Sequence, residues 1–248
     1  MGLWVRDDVR TAFTELLEER RRELDGGGRH LGWKLGFGTA AAQQNAGIDA
    51  PLVGYLLAEN EHASGSGLDV AGWTKPIIEP EIAVYLGADV PAGASDGDIL
   101  CALAGISLAY ELVDATVPFD DAVGAIGVNL MQRGVVLGER RPVDLHPGGV
   151  SIRFAQSTSG EAAQSTSGAG DGAPSAETEL AASADPAGVV GGYVSVIRHL
   201  ADVLGAFGET LRAGDAVITG MVTPPVPMRP GTFTMSSIEL GSISLQVI

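Results

Sequence analysis

The stretch Lys75-Pro-Ile-Ile-Glu-Pro-Glu-Ile-Ala-Val-Tyr-Leu86 is apolar apart from its opening lysine and two glutamates, and its length and β-branched content read as a strand. Side chains at i and i+2 of a strand share a face, so Glu79 and Glu81 present two carboxylates to one point while Pro80 faces the other way. A second apolar run, Leu108-Ala-Tyr-Glu-Leu-Val-Asp114, carries a third glutamate, Glu111. Unpaired charges in such strands are expensive, and a bound cation is the economical explanation. Carboxylate oxygens without His or Cys suit magnesium, calcium or manganese rather than zinc. From spacing alone, a solvent-facing charged strand is the alternative.

Outward from these strands the chain reads as mixed α and β. Asp7-Asp8 precede Val9, Ala12, Phe13, Leu16 and Leu17, the spacing of an amphipathic helix with an acidic first turn, and Gly26-Gly-Gly28 ends it. Residues 1–28 form an N-terminal helical segment on this reading. Leu31 to Gly38 reads as a short strand entering a glycine-rich turn, with Lys34 inside it, and Thr39 to Ala46 as a helix ended by Gly47. A helix is expected around Asp98 to Leu103. Val194, Ile197, Leu200, Ala201, Leu204 and Phe207 mark one face of another. Strands are expected at Gly134–Gly138, Val150–Phe154, Asp215–Thr219, Thr232–Ile238 and Ser242–Ile248. Ala155 to Gly188, built of Ala, Ser, Gly, Thr and acidic residues with Gln-Ser-Thr-Ser-Gly at 156 and again at 164, reads as a low-complexity surface loop. The sum is one β-rich α+β domain over residues 1–248.

With 248 residues, 45% of them hydrophobic, the chain can bury a full core. Its net charge of −16 excludes a nucleic-acid partner and an anionic membrane surface, which need basic patches. The uncharged runs fall short of the roughly 20 residues that span a bilayer. A single cysteine, Cys101, excludes an internal disulfide and reads as a buried small hydrophobe. The opening residues lack the basic start and apolar centre of a secretory signal, and the chain reads as cytoplasmic.

Glycine pairs such as Gly36-Phe-Gly38 complete neither a dinucleotide fingerprint nor a phosphate loop. The serines of the low-complexity segment form no nucleophile elbow. The four histidines, His30, His62, His146 and His199, show no paired metal spacing. Lys34, flanked by Trp33 and Leu35, is a cation in an apolar strand. Burial would lower its pKa and suit it to proton transfer; the alternative is an edge-strand lysine that blocks aggregation.

Gly32-Trp-Lys-Leu-Gly-Phe-Gly-Thr39, Gly47-Ile-Asp-Ala-Pro-Leu-Val-Gly54, Glu79-Pro-Glu81, Glu111-Leu-Val-Asp114, Gly214-Asp-Ala-Val-Ile-Thr-Gly220 and Pro230-Gly231 follow one another in order. The set resembles the 2-oxopent-4-enoate hydratase and 4-oxalocrotonate decarboxylase family, within the fumarylacetoacetate hydrolase superfamily, from about Asp7 to the C-terminus outside the low-complexity loop. The resemblance implies a β-rich mixed-sheet roll with a few packed helices. It implies Mg2+ or Mn2+ held by Glu79, Glu81 and Glu111, with Lys34 in catalysis. The activity implied is that of a lyase on a small anionic 2-hydroxydienoate or 2-oxo acid, hydratase-like, with a 4-oxalocrotonate-type decarboxylase or a degenerate metal-binding partner subunit as alternatives, in a homo-oligomer. Thr39, Leu52 and Thr219 are the implied substrate contacts. Typical hydratases carry an Asp at the position of Leu52, and the family's Ala-Asp-Asn run is Gly-Val-Asn129 here, so directed water addition is expected to be weak.

Overall fold

The computed structural model describes residues 2–142, 150–157 and 177–248. In chain order the elements are α1 (Asp7–Asp25), β1 (His30–Gly36), α2 (Ala40–Asn45), β2 (Leu52–Leu57), β3 (Glu61–His62), β4 (Gly67–Leu68), β5 (Pro76–Leu86), α3 (Asp96–Ala102) and β6 (Leu103–Asp114). There follow α4 (Ala122–Gly127), β7 (Gln132–Leu137), β8 (Ile152–Ser157), β9 (Glu177–Ser183), α5 (Pro186–Val189), α6 (Tyr193–Ala206), β10 (Ala216–Ile218), β11 (Val226–Pro227), β12 (Gly231–Ser237) and β13 (Gly241–Val247). The strands form two sheets. One has the order β2-β1-β10-β5-β6-β7-β3 with β11 also on β5; the other runs β4-β13-β12-β8-β9.

The larger sheet has two buried faces of opposite character. One carries Trp33, Leu35, Ile82, Val84, Leu108, Tyr110 and Val217, which join the helices and the smaller sheet in the main core. The other carries a separate cluster of Leu56, Ala83, Ala109, Val135 and Ile218 from strands across the sheet. Burying one face against itself requires the sheet to curl, and Ala83 and Ala109 leave room for that curvature. The result is a mixed-sheet roll whose inside is narrow and apolar. Lys34, Glu79, Glu81 and Glu111 have the same strand parity as this inner cluster.

Pro80 lies in a central strand although it has no N–H to give. It sits where β5 has left β10, which pairs with residues 83–85, and has not yet met β11, which pairs with 77–78. Its carbonyl accepts from Val222 N at 2.9 Å, so the gap is filled by the chain segment between β10 and β11.

Outside the sheets, α1 turns Val9, Ala12, Phe13, Leu16 and Leu17 inward and stops at Gly26. Phe13 meets Trp4 and Phe207 edge-on, with ring centres 5.0 and 4.8 Å apart. The segment Pro186–Ala206 is long and apolar enough by composition to cross a membrane. It is broken between α5 and α6 at Gly191 and Gly192, both at positive φ, and Val196, Ile197, Leu200 and Leu204 are buried in the core.

Two sequence expectations change. Residues 155–157 and 177–183, read as loop, are the paired ends of β8 and β9, joined also by Arg153 to Glu177 and Glu179 at 3.2 and 2.6 Å; backbone pairing needs no apolar pattern. Residues 184–188 of that segment lead into and begin α5, while 158–176 and His146 lie outside the described residues. Cys101 is exposed, because α3 turns Ile99 and Ala102 inward and leaves the positions between them outside.

Candidate metal and proton-transfer site

The three glutamates converge. Register places Glu79 directly opposite Glu111 on β5 and β6, with Glu81 two residues along on the same face. One carboxylate oxygen from each lies within 4.8 Å of the others. Glu81 and Glu111 are buried and Glu79 is half-buried. Gly220, at φ 98° in the segment that fills the gap beside Pro80, donates its N–H to Glu81 Oε2 at 2.8 Å. Glu81 Oε1 has no hydrogen-bond partner among the described residues.

Lys34 reaches the same point from β1. Its ammonium contacts Glu111 Oε1, and it is buried with Glu111. The stem lies on Gly54, the residue opposite it on β2. A Cβ on Gly54 would stand 3.1 and 3.2 Å from Lys34 Cγ and Cε, and 2.7 Å from Asn129 Oδ1. Asn129 in turn holds the outer edge of β2, accepting from Tyr55 N at 2.9 Å and donating to Tyr55 O at 3.0 Å. It opens a turn in which Asn129, Leu130 and Met131 all have positive φ, a conformation that L-residues adopt at a cost and only when the surroundings impose it.

Burial pulls the Lys34 ammonium down to about 8, against the opposing attraction of Glu79 and Glu81. Burial pushes Glu81 up to about 8, and Glu79 adds to the rise while the Gly220 N–H and Lys34 restrain it. Glu79 is also raised by burial, with Lys34 opposing. Three carboxylates and one ammonium confined together leave an excess of negative charge. An all-oxygen donor set with an unpartnered buried oxygen is the chemistry that a hard divalent cation satisfies, so the residues present fit Mg2+ or Mn2+.

Beside the charges lies a cavity of about 200 Å3, into which Lys34, Glu79 and Glu111 face together with Phe119, Leu130 and Met131. The three expected substrate contacts lie elsewhere. Thr39 caps α2, its hydroxyl accepting from Ala42 N at 3.2 Å. Thr219 is buried and donates to Ile82 O at 3.0 Å, although its neighbour Gly220 lines the cavity. Leu52 shares the parity of Lys34, opposite Gly36, but is fully buried in the main core and does not line the cavity. Sequence reasoning missed Leu130 and Met131, which reach the cavity through the left-handed turn; Asn129, an amide next to a glycine-rich helix, was the available signal.

His30, His199 and Ser95 have structural partners. His30 Nε2 is 3.2 Å from Asp215 Oδ1, and His199 Nε2 is 3.1 Å from Pro51 O. Ser95 does stand in a Gly-x-Ser-x-Gly stretch, Gly93-Ala-Ser-Asp-Gly97. There it caps α3, its hydroxyl donating to Asp98 Oδ2 at 2.6 Å and accepting from Asp98 N, so it is a helix cap and not an elbow nucleophile.

No family model matches the chain. It is 27% identical over 246 residues to a 4-oxalocrotonate decarboxylase from Pseudomonas putida, covering 96% of this chain and 84% of that one. It is 28% identical over 225 residues to a 2-keto-4-pentenoate hydratase from Burkholderia vietnamiensis, covering 88% and 78%. The solved structure of a 4-oxalocrotonate decarboxylase from Pseudomonas putida, complexed with magnesium and adipate, superposes with a TM-score of 0.83 at 22% identity, covering 100% of this chain and 90% of that one. The chain is thus similar along nearly its whole length to both a 4-oxalocrotonate decarboxylase and a 2-keto-4-pentenoate hydratase, and it shares the fold of the former.

Proposed function

We propose that the protein is a divalent-metal-dependent lyase that acts on a small 2-hydroxydienoate or 2-oxo acid in the manner of a 2-keto-4-pentenoate hydratase. The observation that carries this reading is the meeting of Lys34 with Glu79, Glu81 and Glu111 at one buried point beside an apolar cavity. Glu79, Glu81 and Glu111 would hold Mg2+ or Mn2+. When bound, that cation supplies Lewis-acid stabilisation of negative charge on the substrate's 2-oxygen. Lys34 Nζ takes the proton of the 2-hydroxyl and returns it to the carbon chain, which converts the dienol to its keto form. The apolar wall excludes bulk water, so the proton stays with Lys34 during the transfer. Water then adds across the alkene conjugated with the 2-carbonyl, its hydrogen to the nearer carbon and its hydroxyl to the farther.

Decarboxylation is the second reading, suggested by an apolar Leu52 where typical hydratases carry an acid, although Leu52 itself does not line the cavity. Carbon dioxide would leave a diacid with its bonding electrons passing to the 2-oxygen as an enolate, and Lys34 Nζ would then return a proton to the carbon chain. The test is the ultraviolet absorbance of 2-hydroxydienoates and of an oxalocrotonate-type diacid, followed with protein and Mg2+. Loss of dienoate absorbance that EDTA stops is expected, and unchanged spectra for both would refute the lyase assignment. A homo-oligomer and a cytoplasmic setting belong to the same reading. Ile238, 94% exposed at the β12–β13 turn, offers apolar surface to a second copy, and sedimentation velocity reads the assembly.

A further inference from the structure

The charged residues that line the cavity are confined to one end of it. Lys34 touches Glu111, and Glu79 faces Glu111 across the strand pair. The rest of the wall is carbon, formed by Phe37, Val113, Phe119, Leu130, Met131 and Met221 with glycines and Pro225 between them. Glu111 and Val113 are two apart in one strand and share a face, so the change from charge to carbon happens within about 7 Å. Among the described residues, Asn45 is the one uncharged polar side chain on the wall, and its amide is directed to the Phe119 carbonyl at 3.4 Å. The only other lysine in the chain, Lys75, is exposed and stands outside the wall, 5.4 Å from the centre of the Phe119 ring. At about 200 Å3 the cavity lies below the roughly 300 to 1,000 Å3 of sites that take drug-sized ligands.

We infer that this cavity selects a substrate whose far end is short and uncharged, a hydrogen or a small alkyl group, and rejects the diacid of the same head and length, with Phe119, Met131 and Met221 setting the choice. The inference rests on the lyase reading for the head group alone. A 2-oxygen and its neighbouring carboxylate at the charged end direct the remaining carbons along the apolar wall. A second carboxylate there would give up its water and meet, among the side chains of the described residues, no donor but the Asn45 amide, which is directed to the Phe119 carbonyl, whereas a methyl or vinyl end would leave water for carbon.

Titration calorimetry on the magnesium-loaded protein reads the tail without requiring turnover. The probes are two saturated six-carbon 2-oxo acids, one ending in methyl and one in carboxylate. The monoacid is expected to bind at least about 30-fold more tightly. Met131→Arg, or Met221→Arg if the first does not fold, places a cation on the carbon wall and is expected to narrow or reverse that ratio. Equal or tighter binding of the diacid to the unaltered protein overturns the inference, and its loss in Lys75→Ala would then assign the tail contact to Lys75. Turnover of 2-hydroxydienoates is scored separately. Preference for the monoacid without turnover upholds the tail inference and sinks the lyase assignment; binding of neither acid while Mg2+ binds sinks both.

Discussion

Lys34 is positioned by a residue that has no side chain. Its stem occupies the space that a Gly54 Cβ would fill, and Asn129 closes that space from the other side. Gly54→Ala is therefore expected to lower stability by about 1 to 3 kcal/mol through overpacking, and to lower kcat as the ammonium moves from its place against Glu111. Thermal melts together with kcat decide it, and an alanine variant with unchanged rate would show that the close approach is not needed. Lys34→Met tests the ammonium itself. Turnover should fall by about 100- to 10,000-fold, the usual worth of a general acid or base. Mg2+ affinity, by calorimetry, should be retained or raised, because the removed ammonium occupies Glu111. A Lys34→Met enzyme that keeps its rate would end the proton-transfer role. Lys34 and the three glutamates were partly legible in the sequence: a charge inside an apolar strand calls for a partner, but spacing alone left a solvent-facing strand and an edge lysine open, and the family resemblance pointed to the four together. Thr39 and Thr219 are ambiguous for the opposite reason: a hydroxyl beside a glycine turn serves the backbone as readily as a ligand, and both hydrogen-bond to the backbone here.

Elements with a clear period were legible and those without one were not. α1 and α6 show the three-four spacing, and β13 alternates Ile243, Leu245 and Val247 with polar residues. β2 is Leu-Val-Gly-Tyr-Leu-Leu and buried throughout, so no alternation marks it; β9 is a polar strand defined only by its backbone pairing with β8. Helix α6 carries its own test. Burial pulls His199 below the ordinary histidine value, with the Pro51 carbonyl and Asp202 opposing, so the folded chain takes up this proton less readily than the unfolded chain, which protonates it near pH 6.5. That difference favours unfolding as pH falls through about 6.5, and the stability it withholds is fully present above that value. Glu79 and Glu81 act in the reverse sense, since a raised carboxylate binds its proton more readily in the folded state. The comparison must therefore be made between proteins. His199→Gln, which keeps a donor for Pro51, should lose less melting temperature than the unaltered protein between pH 7.5 and 5.5, and parallel curves for the two would refute the assignment.

The roll joins residues that no local pattern connects. Lys34 and Glu111 are 77 positions apart, and Gly220 reaches Glu81 across 139; the strand character of each piece was readable, but the curl that turns one sheet face inward depends on Ala83 and Ala109 being small at positions whose neighbours only the fold supplies. The same closure puts negative charge where water is scarce, and this sets the behaviour of the whole molecule. Burial raises both Glu79 and Glu81, and Glu79 adds to the rise of Glu81, so a divalent cation at this point would offset the cost of ionising them. A cation that binds only the folded state at 100 times its dissociation constant stabilises by about 2.7 kcal/mol. For a chain of this size that corresponds to a rise of roughly 5 to 10 °C in melting temperature, at about 2 to 4 °C per kcal/mol. Protein treated with EDTA should melt lower, and millimolar Mg2+ should restore it while the same ionic strength of NaCl does not. Glu81→Gln divides the effect in two. Removing one buried charge should raise the melting point of the metal-free protein, because repulsion and desolvation both fall, yet it should abolish most of the rise with Mg2+ because a ligand is gone. A variant that still gained the full increment would show that Glu81 lies outside the cation's shell, and a native protein indifferent to both EDTA and Mg2+ would remove the metal from the site altogether.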